Sequence, residues 1–157
     1  MQNNEIFCFR IEHQRYAFPL ASVDRVLQAT SVIRIPNSPS LIHGVVDYFG
    51  TLIPVLNFRK RLGLPDRPIG IDDYFIVVDT PKRKLAVVID DVDDVIVPDD
   101  ADLIPASNMD SSLEPQSICR LDGDMVLIYD LERFLTGADD FALQEALKKV
   151  TTTKMRI

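Results

Sequence analysis

Val45-Val46-Asp47-Tyr48-Phe49-Gly50-Thr51-Leu52-Ile53-Pro54-Val55-Leu56-Asn57-Phe58-Arg59-Lys60-Arg61-Leu62-Gly63 is the stretch whose reading decides the fold. Two short apolar runs, Val45–Tyr48 and Leu52–Leu56, flank a turn at Gly50 and read as strands. Pro54 lacks a backbone N–H, so the second run is expected at a sheet edge or a bulge. Asn57 is placed to cap a short helix over Phe58–Leu62, and Gly63 to close it. The same pattern recurs 73 positions later: Gly50 falls on Gly123, Leu52 and Ile53 on Met125 and Val126, Asn57-Phe58 on Asp130-Leu131, and Leu62 on Leu135. A second short helix is therefore expected over Leu131–Leu135, capped by Asp130 and closed by Gly137.

Working outward, the repeat extends upstream with an offset of 69. Ile6 to Phe9 fall on Phe75 to Val78; Tyr16, Ala17, Phe18 and Leu20 on Leu85, Ala86, Val87 and Ile89; Val23, Val26 and Leu27 on Val92, Val95 and Ile96; Pro36 on Pro105. A four-residue insertion separates the two registers. One register held over three strands and a proline, then another over a turn, a strand and a helix, marks an internal duplication.

Each copy reads as five short strands. In the first they are Ile6–Ile11, Arg15–Leu20, Val23–Leu27, Val45–Tyr48 and Leu52–Leu56, with Phe7, Phe9 and Ile11 alternating as on a half-buried strand. Five antiparallel strands leave exposed edges, and closure into a small barrel removes them. Two barrels in tandem follow, with a boundary near Pro65 to Asp72. From Asp139 to Val150 the apolar residues Phe141, Leu143, Ala146, Leu147 and Val150 take helical spacing, so a terminal amphipathic helix is expected. Thr151 to Ile157 read as a frayed end.

The 157 residues are 46% hydrophobic, enough for a core. The net charge of −7 is unevenly spread: residues 1–70 hold eight Lys/Arg against five Asp/Glu, and residues 71–157 nine against nineteen. An acidic chain is a poor polyanion binder, which disfavours nucleic acid as a partner. The asymmetry suits two surfaces that meet different proteins. No apolar run approaches the roughly 18 residues that span a bilayer, and the N-terminus lacks a secretory signal, so a cytoplasmic protein without direct membrane insertion is expected.

Chemistry is sparse. There is no GxxxxGK[ST] or GxGxxG loop, and no cofactor is expected. His13 and His43, the two histidines, read as surface or turn residues outside any triad pattern. Cys8 and Cys119 sit in apolar runs without ligand spacing and read as buried thiols. The acidic run Asp90, Asp91, Asp93, Asp94, followed by Asp99, Asp100 and Asp102, lacks the glycine turn and late glutamate of a calcium loop. Its interleaved valines read as a solvated strand face rather than a metal site.

At Val23-Asp24-Arg25-Val26, Ile35-Pro36-Asn37-Ser38-Pro39, Ile42 through Leu56 and Val88-Ile89-Asp90-Asp91-Val92, the chain resembles the CheW family of chemotaxis coupling proteins. The resemblance covers about residues 5 to 137. It implies an all-β single domain over 1–157, built of two tandem five-stranded SH3-like β-barrels (sub-barrels 5–64 and 73–136) with a C-terminal helix at about 139–150. It also implies a non-catalytic adaptor whose partners are the cytoplasmic tip of a methyl-accepting chemoreceptor and a histidine kinase regulatory domain.

By the same resemblance, Val23, Arg25, Val26 and Phe49 map to the receptor-facing strand and turn, and Ile42, His43 and Ile53 to the kinase-facing end of the first barrel. Taken singly, Val23, Val26, Ile42 and Ile53 read better as core packing. Two positions depart from the family pattern. Family members commonly carry a glutamate where this chain has Arg25, and an arginine where it has Phe49. The exchange is either a cation–π pair or two unrelated surface substitutions. Other readings are an adaptor of a pilus or gliding motility pathway and a generic small-barrel protein-binding module; no residue constellation speaks for an enzyme.

Overall fold

The computed structural model describes residues 4–105, 115–131, 140 and 142–148. Its strands are β1 (Ile6–Ile11), β2 (Gln14–Pro19), β3 (Val23–Gln28), β4 (Ile42–Tyr48), β5 (Thr51–Leu56), β6 (Tyr74–Asp79), β7 (Lys84–Ile89), β8 (Asp91–Ile96), β9 (Leu103–Pro105), β10 (Ser117–Leu121) and β11 (Asp124–Ile128). The helix α1 spans Phe58–Leu62. Its cap is the expected one: the Asn57 side chain accepts from the Lys60 amide, and Gly63 closes it in the left-handed region at φ 74°.

The strands form two mixed sheets, ordered β8-β1-β2-β11-β10-β9 and β3-β6-β7-β5-β4. Under the repeat these orders are the same, with an isolated Ile33–Val45 bridge standing in the second sheet where β9 stands in the first. The hairpins, however, are exchanged. β1–β2 completes the sheet of second-copy strands, and β6–β7 completes the sheet of first-copy strands. The expected division into sub-barrels 5–64 and 73–136 is therefore not how the sheets are built. Both hairpins carry the same apolar pattern, so either assignment satisfies it, and sequence periodicity cannot choose between them. Exchange makes the two sheets interdependent, because neither copy completes a sheet alone.

Two further corrections follow from this topology. The sheets are not wholly antiparallel: β5 runs parallel to β7, and β11 parallel to β2. Pro54 lies in an internal strand rather than at an edge. It pairs with Val45 on the β4 side, and the β7 ladder starts one residue later, at Val55. The missing N–H is thus accommodated where the second ladder has not begun.

Alternation in the hairpin strands serves two cores. Phe7, Phe9 and Ile11 of β1, Tyr16 and Phe18 of β2, Ile76 and Val78 of β6 and Leu85, Val87 and Ile89 of β7 meet in one large cluster shared by both sheets. The alternate residues turn the other way: Ile6, Cys8 and Ala17 join Cys119, Val126 and Ile128, while Phe75, Val77 and Ala86 join Val46, Tyr48, Ile53 and Val55. These strands are buried on both faces rather than half-buried. Cys8 and Cys119 are free, buried thiols, and burial pushes the Cys8 thiol up to about 12.

Residues 140 and 142–148 are helical. Leu143 is fully buried in the shared core, and Ala146 packs on Ile35 and Val45. Phe141 and Val150 of the expected terminal helix, the expected short helix over Leu131–Leu135 beyond Leu131, and the tail 151–157 lie outside the described residues.

One close approach fixes the strap between β3 and β4. A Cβ on Gly44 would stand 2.2 Å from the Ile33 carbonyl oxygen and 2.8 Å from Val32 Cγ1. Gly44→Ala is expected to cost about 1–3 kcal/mol by forcing the strap away, measured as a lower urea midpoint with an unchanged slope. A variant as stable as wild type would show that the strap yields freely.

Candidate docking face

The face centres on the β3 edge and the β4–β5 turn. β3 pairs with β6 through a bulge: Val23 opposes Val78 and Arg25 opposes Val77, leaving Asp24 extra. A bulge redirects side chains locally, and here Asp24 and Arg25 are both exposed while Val23 and Val26 pack against the shared core. For those two valines packing is the observed role.

The turn is a two-residue loop, Phe49–Gly50, with φ of 50° and 90°. Positive φ at both positions is the geometry of a type I′ hairpin, which favours Asn or Asp before Gly. The matching turn of the second copy, Asp122–Gly123, follows that preference at φ 52° and 78°. A phenylalanine at the first position works against it, at a cost of about 1 kcal/mol. Phe49 nonetheless leaves 75% of its surface exposed. Phe49 thus combines an unfavourable backbone with an exposed aromatic ring.

The two departures meet. The Arg25 guanidinium carbon lies 4.9 Å from the Phe49 ring centroid, within cation–π range. Tyr48 stands edge-on to Phe49 at 4.8 Å, and its hydroxyl donates to Asp24 Oδ2 at 2.7 Å. Lys84 Nζ bonds the same oxygen at 3.3 Å and Asp79 at 2.5 Å. The Tyr48 hydrogen bond and Lys84 hold the Asp24 carboxyl below its usual range, and the same bond raises the Tyr48 phenol. Asp47 Oδ1 accepts from the Gly50 amide at 2.9 Å. The edge strand and the turn are thus latched together by side chains.

The latch has a counterpart. Asp93 occupies the place of Asp24 in a matching bulge of β8, and Arg15 the place of Lys84, with Arg15 Nε 2.7 Å from Asp93 Oδ2. Each pair joins one copy's bulge to the other copy's hairpin. Sequence reasoning missed Asp24, Tyr48 and Lys84. The available signal was Val-Asp-x-Val in both copies, Val23 to Val26 and Val92 to Val95, with a basic residue at the matched positions 15 and 84.

Ile42, His43 and Ile53 are not brought together at a surface. Ile42 is 5% and Ile53 2% exposed, in different clusters. His43 is half-buried within β4 rather than at a turn, and desolvation lowers its imidazole below the usual value. The acidic run is likewise only partly a solvated face. Asp91 and Asp94 are exposed, but Asp93 faces Arg15, and Asp90 is chelated by Arg59 through contacts of 2.7 and 2.9 Å. Among the described residues no group of three or more His, Cys, Asp or Glu is placed to hold a metal, and no helix is long and apolar enough to cross a membrane.

A family model described as a CheW-like domain matches residues 5–139. The chemotaxis protein CheW of Rhizobium meliloti (strain 1021) is 23% identical over 131 residues, covering 82% of this chain and 84% of its own. That of Thermotoga maritima is 25% identical, covering 83% and 87%. Protein FrzA of Myxococcus xanthus is 34% identical over 88 residues, covering 56% and 55%. The crystal structure of the scaffolding protein TtCheW from Thermoanaerobacter tengcongensis superposes with a TM-score of 0.78 at 25% identity, covering 88% of this chain and 96% of that one. The two mixed sheets are the paired SH3-like β fold of that group, and the chain belongs to the CheW-like domain family.

Proposed function

We propose that this protein is a non-catalytic signalling adaptor that couples chemoreceptors to a histidine kinase in a bacterial chemosensory system. The observation that carries this is the family match over residues 5–139, which takes in both sheets and therefore the whole exchanged unit. The receptor tip docks on the face of Arg25 and Phe49, with Val23 and Val26 supporting it from beneath. The kinase regulatory domain meets the other end of the first-copy sheet near His43, with Ile42 beside it in the core; Ile53, paired with Val46 nearer the Phe49–Gly50 turn, supports the sheet from within. The 34% identity to FrzA is consistent with a second reading, an adaptor of a related motility pathway. Co-purification with the regulatory domain of a histidine kinase tests both readings, and failure with every kinase of the source organism would sink them.

The strained turn supplies a sharper test. Phe49→Asn restores the preferred hairpin residue, so it is expected to hold or raise stability by up to about 1 kcal/mol while weakening binding to a receptor-tip fragment about tenfold. Thermal melts and isothermal titration read the two effects separately. Unchanged affinity, or a gain on Phe49→Arg, would show that Phe49 is not an anchor.

A further inference from the structure

Arg25 is a cation without a carboxylate. Among the described residues it makes no salt bridge. The adjacent Asp24 is engaged by Tyr48 and Lys84 and senses Arg25 only as a nearby charge. The guanidinium sits over the Phe49 ring, and among the described residues no carboxylate holds its N–H groups, which leaves them able to pair bidentately with one brought by a partner. At the equivalent place in the other sheet the repeat puts Asp94 for Arg25 and Asp122 for Phe49, so the cation belongs to one face of the molecule only.

We propose that Arg25 sets the polarity of the partner: the docking segment of the receptor tip presents a carboxylate to the guanidinium, beside an apolar side chain that covers Phe49. The proposal rests on the receptor-facing reading of this face and specifies its chemistry. A partner with a basic residue at that point is rejected by like charge in a site that contact would desolvate. The face therefore selects tips opposite in charge to those suited to a glutamate at position 25.

The test uses the full chain and a soluble two-helix chemoreceptor tip fragment. The fragment is prepared unmodified and as a series in which each surface acid is changed to Lys and each surface base to Glu. Titration calorimetry is run with wild type and Arg25→Glu, after melts confirm that the variant folds. The expected result is one acid-to-Lys fragment that loses about tenfold with wild type and recovers with Arg25→Glu. Coupling of Arg25 only to basic positions, or to none, overturns the proposal while leaving fragment binding, and hence the adaptor reading, intact. An Arg25-dependent self-association without fragment would assign the site to the Asp94–Asp122 face of a second copy and overturn it as well. If the unmodified fragment fails to bind while the kinase domain still co-purifies, the receptor-facing reading falls and the proposal with it.

Discussion

Phe58→Ala is expected to lower the unfolding free energy by about 3–5 kcal/mol, the range for emptying a buried aromatic site. Phe58 is 1% exposed and stands at the first position of α1, where the Asn57 cap fixes its direction. Its ring meets four others edge-on, Phe9 at 6.0 Å, Tyr16 at 5.8 Å, Phe18 at 5.7 Å and Tyr129 at 5.5 Å. Three of these rings lie on the β1–β2 hairpin in the six-stranded sheet, whereas α1 follows the last first-copy strand of the five-stranded sheet. Phe58 therefore plugs the joint between sheets. Edge-to-face contacts add to the area it buries, so Phe58→Leu should recover only part of the loss. Urea unfolding should remain a single transition with a lower midpoint, since the exchanged hairpins make the sheets unfold together. A loss under about 1 kcal/mol, or two resolved transitions, would refute this account.

Local elements were readable because they rest on local physics. The Asn57 cap and the Gly63 stop each depend on a few adjacent residues, and α1 spans the expected Phe58–Leu62; β1 was readable as a strand, but not its burial on both faces, which depends on a second core. The duplication was readable because the same pattern appears twice. The hairpin exchange was hidden for the same reason: β1–β2 and β6–β7 present interchangeable apolar faces, and pairing partners are a long-range property. The parallel β5–β7 and β2–β11 ladders were hidden for a related reason: they join strands far apart in sequence, and apolar alternation carries no strand direction.

The candidate docking face divides in the same way. The Arg25 and Phe49 departures were visible as residue types, and their 4.9 Å contact realises one of the two expected alternatives. Exposure was not visible. Ile42 and Ile53 carry the same apolar character whether a surface or a core claims them, and their burial assigns them to packing. Asp90 and Asp93 looked like their exposed neighbours because the arginines that neutralise them come from a strand and a helix distant in sequence. Asp93 takes Arg15 from β2, and Asp90 takes Arg59 from α1.

That hidden arginine gives the other large effect. Arg59→Met keeps most of the aliphatic stem and removes the charge, and it is expected to cost about 3 kcal/mol at pH 7. The Arg59 side chain is 10% exposed; it holds Asp90 at both carboxylate oxygens and Glu12 Oε1 at 2.7 Å. Arg67 bridges Asp90 at 2.8 Å and Asp73 at 2.7 Å, and the Glu12 amide donates to Asp90 at 2.7 Å. These bonds tie the β1–β2 turn, α1, the Pro65–Asp73 connection and the β7–β8 junction into one network. Burial by itself would raise the Asp90 carboxyl; the Glu12 amide, Arg59 and Arg67 outweigh it and hold the group below the usual carboxylate range. A depressed folded value means that Asp90 contributes stability above its unfolded value, about 3.9, and loses it as pH falls through the folded value. In Arg59→Met the carboxylate left behind is short of a cation, and protonation relieves it. The gap between wild type and variant should therefore be widest near neutrality and narrow below about pH 4, where Asp90 no longer needs its partner. Urea midpoints taken from pH 7 to pH 3 would show this convergence, and a gap that stays constant across the range would assign the loss to packing of the stem rather than to the charge.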